Sequence, residues 1–536
     1  MTSDIQVEMT ALRQVPVEAA AVGDLREWLR KVEALGELVR VGEVVDPNEE
    51  MGALTYMVGK RTGSPALLFE NPKGGAGYRL LWNLLGNSTR RIAVTLGEPP
   101  QSSRIELLRC MRKKLKLRLP PVGIAPEASP VNERVVTGSA IDMSAIPAPK
   151  HWPLDGGRYI GTCDAVFTRD PDSGYVNMGT YRMMVHDERH VGLYLSPGKD
   201  ARLHIARAWE LGRPIEVAAA FGIDPLLMVI ASMTFPKNES ELDAVGGLAG
   251  APLEITRGVT TDLPIPARAE FVIEGIIRPN ATRLEGPFGE FTGYYGRPEA
   301  SAPLVEVTAI HSRNHPILTN ALMADYPSCE MADYYAIAKA ARTWDDLDRL
   351  GIPGICGVYA HPAAASGFGM VVISLQQRYA GHAAQALACA AQVPGSAYFT
   401  KWIIAVDEDV DPTDTDQVIW ALATRANPVD DIDILRNTWS TWLDPTQNPP
   451  EDRPWGSKAL INACKEHRYL STFSKRTAVR REIYDQLAAR WQKLGLAGEA
   501  PQLLAFHRED EGRALHEAAE LTPKPRMPKA NGQGTT

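Results

Sequence analysis

The sequence predicts a multidomain α/β protein, and three observations predict it. Helical and strand-like runs mix from the N-terminus to about residue 130. Short strand-like runs crowd together from about 131 to 322, with few helices between them. Strands and helices then alternate in βαβ rhythm from about 323 to 475. The chain has 536 residues, enough for about two to four domains.

In the first region, DLREWLRKVEALG reads as a helix. Asp24 and Glu27 have capping-box spacing, Leu25, Trp28, Leu29, Val32 and Leu35 share one face, and Gly36 is a stop. ELVRV and PALLFENPKG read as strands. The basic run RCMRKKLKLRLPP is either a solvated helix face or a partner for anionic groups elsewhere in the protein. In the middle region RYIGTCDAVFTRD, GYVNMGTYRMMVHD, HVGLYLS, LMVIASMTFP, AEFVIEGII and LVEVTAIHS all read as strands. Only the intervals after Lys199 and near Asp243 read as helices, which suggests a barrel-like or sandwich-like domain. Farther on, GMVVISLQQ, KWIIAVDEDVD and DIDIL are strands separated by helices, so a right-handed parallel sheet is expected. TAVRREIYDQLAARWQKLGL reads as one long amphipathic helix over the 476–520 segment, with Val479, Ile483, Leu487, Trp491 and Leu494 on one face. That stripe suits either a core or a partner subunit. The Pro/Gly-rich tail, 521–536, is expected to be disordered.

A net charge of −8 argues against a general nucleic-acid or anionic-membrane binder. Six scattered cysteines without a C-x-x-C pair argue against a zinc cage or a disulfide framework. The N-terminus lacks a signal-peptide core and no run of 18 apolar residues occurs, so a cytoplasmic protein without membrane spans is expected. VDEDVDP resembles a calcium loop, but Pro412 and Val418 stand where Gly and Glu are needed, so a strand end before a helix cap is the better reading. KGGAG and GGLAG fit neither a P-loop nor a dinucleotide fingerprint.

Three stretches carry chemistry together. NMGTYRMMVHD holds Asn177 and Arg182, SMTFPKNESELDAVGGLAGAPLE holds Glu241, and LEGPFGEFTGYYG holds Glu285 and Glu290. On a regular strand Glu285 and Glu290 point to opposite faces, and Pro287 with two glycines opposes a helix. A strand that breaks into a turn can aim both at one point. Arg182, among apolar neighbours, needs a carboxylate partner or an anionic ligand.

In their order, N-x-x-x-x-R, S-E-L-x-x-x-G-x-L-x-G-x-P and E-G-P-F-G-E with G-Y-Y, these residues resemble the UbiD-like decarboxylases that use prenylated FMN. The resemblance runs from DLREWL through GSKALINA. It implies a central split β-barrel that holds the flavin against the C-terminal α/β domain. It further implies Asn177 and Glu241 as ligands of a divalent metal, usually manganese, with potassium on carbonyls near Met178 and Ser232–Met233. Thr162, Met178, Thr180, Tyr181, Arg182, Ser232, Met233 and Lys401 fall at cofactor-contacting positions, Lys401 toward the phosphate. The family's third metal ligand is often a histidine. Here Lys199 and Asp200 stand near that place, so either Asp200 supplies an oxygen or Lys199 replaces a cation. His204 lies a helical turn further on and reads as structural.

Loss of CO2 from an aromatic or α,β-unsaturated acid needs an electron sink, which side chains do not provide. The resemblance gives Arg182 the substrate carboxylate or a neighbouring acid to hold, Glu285 the pairing with Arg182, and Glu290 the role of general acid. The C-terminal run favours a hydroxybenzoate-type acid over a cinnamate-type one, in either direction of reaction. ILRNTWSTWLDPTQNPP, with Trp439 and Trp442, suits a cover over a planar ring or simple packing. A flavin prenyltransferase is the implied cofactor supplier and a homodimer or higher homo-oligomer the implied assembly. The rival readings are a two-carboxylate hydrolase and a non-catalytic flavin-binding subunit.

Overall fold

In the computed structural model, residues 23–501 are described, apart from 62, 237–238, 448–454, 475 and 478. The expected tail at 521–536 lies outside them.

The N-terminal sheet has four strands, in the order Leu38–Val45, Ala66–Pro72, Arg79–Trp82 and Ile317–Asn320. Its last strand returns from the far end of the middle region and runs parallel to Arg79–Trp82. The opening helix, Leu25–Ala34, buries Leu25, Trp28, Leu29 and Val32. Asp24 caps it by accepting from the Arg26 N–H, but the box does not close, because Glu27 turns to Arg30 and Lys31 instead. The basic run forms the helix Arg104–Lys114 and its exit. Arg112 pairs with Asp345 and Asp348, Lys114 with Glu98 and Arg118 with Glu239, so anionic groups of the protein take up much of its charge.

The middle region is built on a nine-stranded sheet, beside which Glu254–Arg257 and Pro264–Pro266 join Val122–Gly123 in a small three-stranded one. Arg158–Gly161 lies at one edge and Val176–Gly179 at the other, with Asp164–Arg169 beside the latter. Only Thr162 and Cys163 join Arg158–Gly161 to Asp164–Arg169. Two residues span at most about 7 Å. The two edges must therefore lie close together, and the sheet curls into a split barrel. Thr180–Arg182 crosses the same seam a second time, from Val176–Gly179 to Met183–Val185. Alternation fills both sides: Val217, Ala219 and Phe221 face the barrel interior, while Ala218 and Ala220 join the large core outside.

LMVIASMTFP is not a strand. Its first part lies in the helix Pro225–Ser232, capped by Asp224 with Pro225 in the first turn. Every residue of that helix is buried, so it has no polar face and no 3.6-residue period to read. The barrel strands that the sequence reading missed are Arg134–Thr137 and Ile215–Phe221. The helices after Lys199 and near Asp243 are Asp200–Glu210 and Glu241–Ala249.

The C-terminal sheet runs Ile355–Ala360, Met370–Leu375, Trp402–Asp407, Gly456–Ala463, Ile432–Thr438. Its three middle strands are parallel; the first two are GMVVISLQQ and KWIIAVDEDVD, as expected, and the third, Gly456–Ala463, was not read as a strand. DIDIL, however, forms an antiparallel edge, because Gly456–Ala463 inserts between it and Trp402–Asp407. Arg425 bridges Asp407 and Asp409 and Asp414 caps the next helix, which accounts for VDEDVDP without calcium. The long terminal helix is shorter than expected, Arg481–Ala488 followed by a turn at Gln492–Leu494. Val479, Ile483, Leu487 and Leu494 are exposed, so they join no core among the described residues. None of the six cysteines, all of them among the described residues, is in a disulfide, and no helix among the described residues is long and apolar enough to cross a membrane.

GGLAG proves to be a packing device. The helix Glu241–Ala249 lies so close to the Leu117–Leu119 segment that a Cβ on Gly247 would stand 2.1 Å from the Leu117 carbonyl oxygen. Gly247→Ala is expected to lower the urea midpoint by the equivalent of about 1–3 kcal/mol. Gly42→Ala, where no atom lies within 4 Å, is expected to change stability by less than about 1 kcal/mol.

Candidate active site

Both seam crossings carry site residues. The Thr180 hydroxyl and the Tyr181 N–H donate to Asp164 Oδ1 at 2.9 and 3.0 Å, and the Thr180 N–H donates to the Ala231 carbonyl at 3.2 Å. So pinned, the crossing leaves Arg182 as its last residue, 8% exposed.

Glu285 ends the long strand Phe271–Glu285. At Gly286 the backbone has φ +90°, where glycine is favoured, and the turn brings Glu290 round to the same guanidinium. Arg182 donates from Nε and Nη2 to the two oxygens of Glu285 at 2.7 and 2.9 Å, and from Nη1 to Glu290. The Tyr159 hydroxyl donates to Glu285 at 2.9 Å. Tyr194 and Phe288 place their rings 4.0 and 5.0 Å from the guanidinium carbon.

The turn itself is held from outside. Asp155 accepts from the N–H groups of Gly289, His151 and Trp152. The Gly156 N–H donates to the Pro287 carbonyl at 2.8 Å, and a Cβ on Gly156 would fall 1.9 Å from the Gly286 oxygen. Burial pushes the Glu290 carboxyl up to about 7, with the Glu285 charge adding to it and Arg182 opposing. Burial also raises Asp155, to about 6. For Arg182 burial works against the charge, but the two glutamates outweigh it and hold its pKa above the usual value.

A second cluster surrounds Asn177 and Glu241. The Asn177 side-chain nitrogen is buried without a hydrogen-bond partner. Glu241 accepts from the Tyr175 hydroxyl at 2.7 Å and, more weakly, from the Met178 N–H at 3.5 Å. Burial raises Glu241 to about 7, and the charge of Asp200 adds to the effect. Lys199 points elsewhere, its ammonium 4.9 Å from the Tyr398 ring. His204 shares a hydrogen bond with Thr168 at 3.0 Å, as a structural histidine would. Among the described residues no group of three or more His, Cys, Asp and Glu is placed to hold a metal.

The other sequence-predicted positions vary. Thr162 accepts from the Ala321 N–H, and the Ser232 hydroxyl donates back to Val229 within its helix. Met233 lines a cleft with Tyr335, Lys339, Arg342 and Tyr398. Lys401 is occupied by Asp444 at 2.8 Å and Thr446 at 3.2 Å. Lys339, which the sequence reading passed over, is buried in that cleft and donates to the Phe368 carbonyl at 2.9 Å, and burial lowers its pKa well below the usual value. Tyr159, Asp155 and Tyr194 were also missed. The one readable signal was Asp-Gly-Gly at 155–157, where both glycines lack room for a Cβ. On the rim, Trp439 packs on Tyr398 at 5.0 Å and Trp442 lies near Arg202 and Arg297.

Three family models match the chain in order. They describe the N-terminal domain of 3-octaprenyl-4-hydroxybenzoate carboxy-lyase at 29–111, its Rift-related domain at 124–326 and its C-terminal domain at 334–463. The chain belongs to the UbiD family. A phenolic acid decarboxylase of Sedimentibacter hydroxybenzoicus is 33% identical over 80% of this chain and 89% of its own. Among solved structures, the vanillic acid decarboxylase of S. hydroxybenzoicus in closed form matches with TM-score 0.80 and 30% identity, over 88% of this chain and 98% of that one. The UbiD-class enzyme HmfF of Pelotomaculum thermopropionicum, in an evolved dimeric form in complex with prFMN, matches with TM-score 0.72 and 29% identity, over 85% and 97%. As a UbiD member the protein is a carboxy-lyase, so the hydrolase and non-catalytic readings fall.

Arg182→Ala would leave two buried carboxylates without a cation. The expected loss of stability is about 3–5 kcal/mol. Uncompensated burial raises the folded-state carboxyl pKa values, so stability is fully present at low pH and is lost as pH rises. Urea unfolding of the variant at pH 6 and pH 8 should show the larger deficit at pH 8.

Proposed function

We propose that this protein decarboxylates an aromatic or heteroaromatic carboxylic acid of the hydroxybenzoate type, reversibly, with prenylated FMN as cofactor. The observation that carries this reading is Glu290, a buried acid with a pKa near neutrality, held on the guanidinium that Glu285 already neutralises. The phenolic and vanillic acid decarboxylases among the relatives support the substrate class over a cinnamate-type acid, and the prFMN complex of HmfF supports the cofactor.

When bound, prenylated FMN supplies the electron sink that carboxylate loss requires. The protein's own residues do the rest. Arg182, fixed by both oxygens of Glu285, orients the substrate carboxylate and keeps Glu290 in place. Tyr194 and Phe288 wall the site with rings and exclude water. Glu290 gives its proton to the carbon that CO2 leaves, and takes it back when carboxylation runs instead.

The donor set fits the implied ions. Glu241, a buried carboxylate that meets no cationic side chain among the described residues, would offer hard oxygens to a divalent ion such as Mn2+ together with the side-chain oxygens of Asn177 and Asp200. Asp200 takes the third place and Lys199 does not, since its ammonium lies on Tyr398. Carbonyls around Met178 and Ser232–Met233, drawn together by the Thr180–Ala231 hydrogen bond, suit K+. Lys339, buried without an ion-pair partner among the described residues, suits the flavin phosphate better than Lys401, which Asp444 neutralises. A flavin prenyltransferase would supply the cofactor. The exposed Val479, Ile483 and Leu487 suit a second copy of the chain in a homodimer or larger assembly.

Glu290→Gln is expected to abolish turnover, by about a hundredfold or more, while the flavin absorbance of the purified protein persists. Full activity in that variant would refute the assignment. For the wild type, the decarboxylation kcat should fall as pH rises through about 7, because Glu290 loses the proton it must give. Glu241→Gln should lower the bound manganese measured by elemental analysis.

A further inference from the structure

Arg202 and Arg297 form a second cationic pair at the site, one that the mechanism does not use. Arg202 lies in the first turn of the helix Asp200–Glu210, and Arg297 follows directly on the turn that carries Glu290. Trp442, from the loop after Ile432–Thr438, places its ring 5.1 Å from one guanidinium carbon and 4.9 Å from the other. Arg297 also lies 5.5 Å from the Tyr194 ring, the same ring that Arg182 approaches at 4.0 Å.

Arg202 donates one hydrogen bond, to the Leu195 carbonyl at 2.8 Å. Neither arginine meets a carboxylate among the described residues, whereas Arg182, Arg268 and Arg283 each do. Both are half-buried. Two like charges partly withdrawn from water are unfavourable unless an anion joins them. Aromatic faces offset some of that cost, yet they leave the planar forks of N–H donors unused.

We infer that the substrate carries a second anionic group, a carboxylate or comparable oxyanion, and that Arg202 and Arg297 bind it while the reacting carboxylate lies at Arg182. This rests on the aromatic-acid reading above. Tyr194, touched by Arg182 and by Arg297, joins the two cationic positions. Arg202 and Arg297 then act as specificity residues, and Trp442 holds their forks in register.

The test uses the prenylated-FMN holoenzyme with ring acids bearing one carboxylate (benzoate, 4-hydroxybenzoate) and two (benzene-1,3- and 1,4-dicarboxylate). A diacid should show the lower KM, and Arg297→Gln and Arg202→Gln should each raise its KM about 10- to 100-fold with kcat changed far less. Binding is read separately, by tryptophan fluorescence in Glu290→Gln holoenzyme, where the diacid should bind in a salt-sensitive manner that Arg297→Gln removes. The inference is overturned if diacids bind no better than monoacids. It is also overturned if either arginine variant weakens both classes equally, the mark of a merely structural contact with Trp442. If no ring acid of either class is turned over, the aromatic-acid reading fails, and the fluorescence arm still decides whether the pair binds a diacid.

Discussion

One guanidinium stands between two buried carboxylates, and the rest of the site follows from that arithmetic. Arg182 satisfies Glu285 through both oxygens and has one nitrogen left for Glu290. Two ionised glutamates against one arginine would leave a net negative charge away from water, which is costly. The least costly remedy is a proton on one of them. Glu285 has both oxygens on Arg182 and the Tyr159 hydroxyl besides, while Glu290 meets a single nitrogen of Arg182, and the proton resides on Glu290. An acid poised near neutrality is thus a consequence of how charges are counted in a dry site, and that state is the one a proton donor to carbon requires.

The fold supplies the dryness and the aim. A sheet whose edges are joined by two-residue and three-residue crossings has to curl, and its seam is where the backbone is most tightly specified. Arg182 ends one crossing and Thr162 opens the other. Behind them, the helix Pro225–Ser232 and the glycine-rich helix Glu241–Ala249 pack close, which carries Ser232, Met233, Asn177 and Glu241 toward one region. Gly246 and Gly247 let the second of these helices lie against Leu119 and Leu117 as well.

Much of this was legible in the sequence, and the failures are instructive. The strand-then-turn reading of LEGPFGEFTGYYG was correct because Pro287 and two glycines leave few alternatives. The helix at Pro225–Ser232 was misread because a segment buried on every side shows no period. DIDIL was read as parallel because the pairing of Gly456–Ala463 between two earlier strands is a long-range event with no local signature. Tyr159, Asp155 and Lys339 were invisible for a related reason. Their roles come from neighbours more than a hundred residues away or from burial, and a lone tyrosine, aspartate or lysine in a sequence carries neither.

The central claim is that Glu290 holds a proton at neutral pH against the pull of Arg182. Infrared difference spectroscopy of the holoenzyme, comparing wild type with Glu290→Gln across pH, reads that proton directly through the carboxyl stretch. The account predicts a protonated-carboxyl band, present at pH 5 and lost with a midpoint near 7. A carboxylate signal for Glu290 already complete at pH 5 would contradict it.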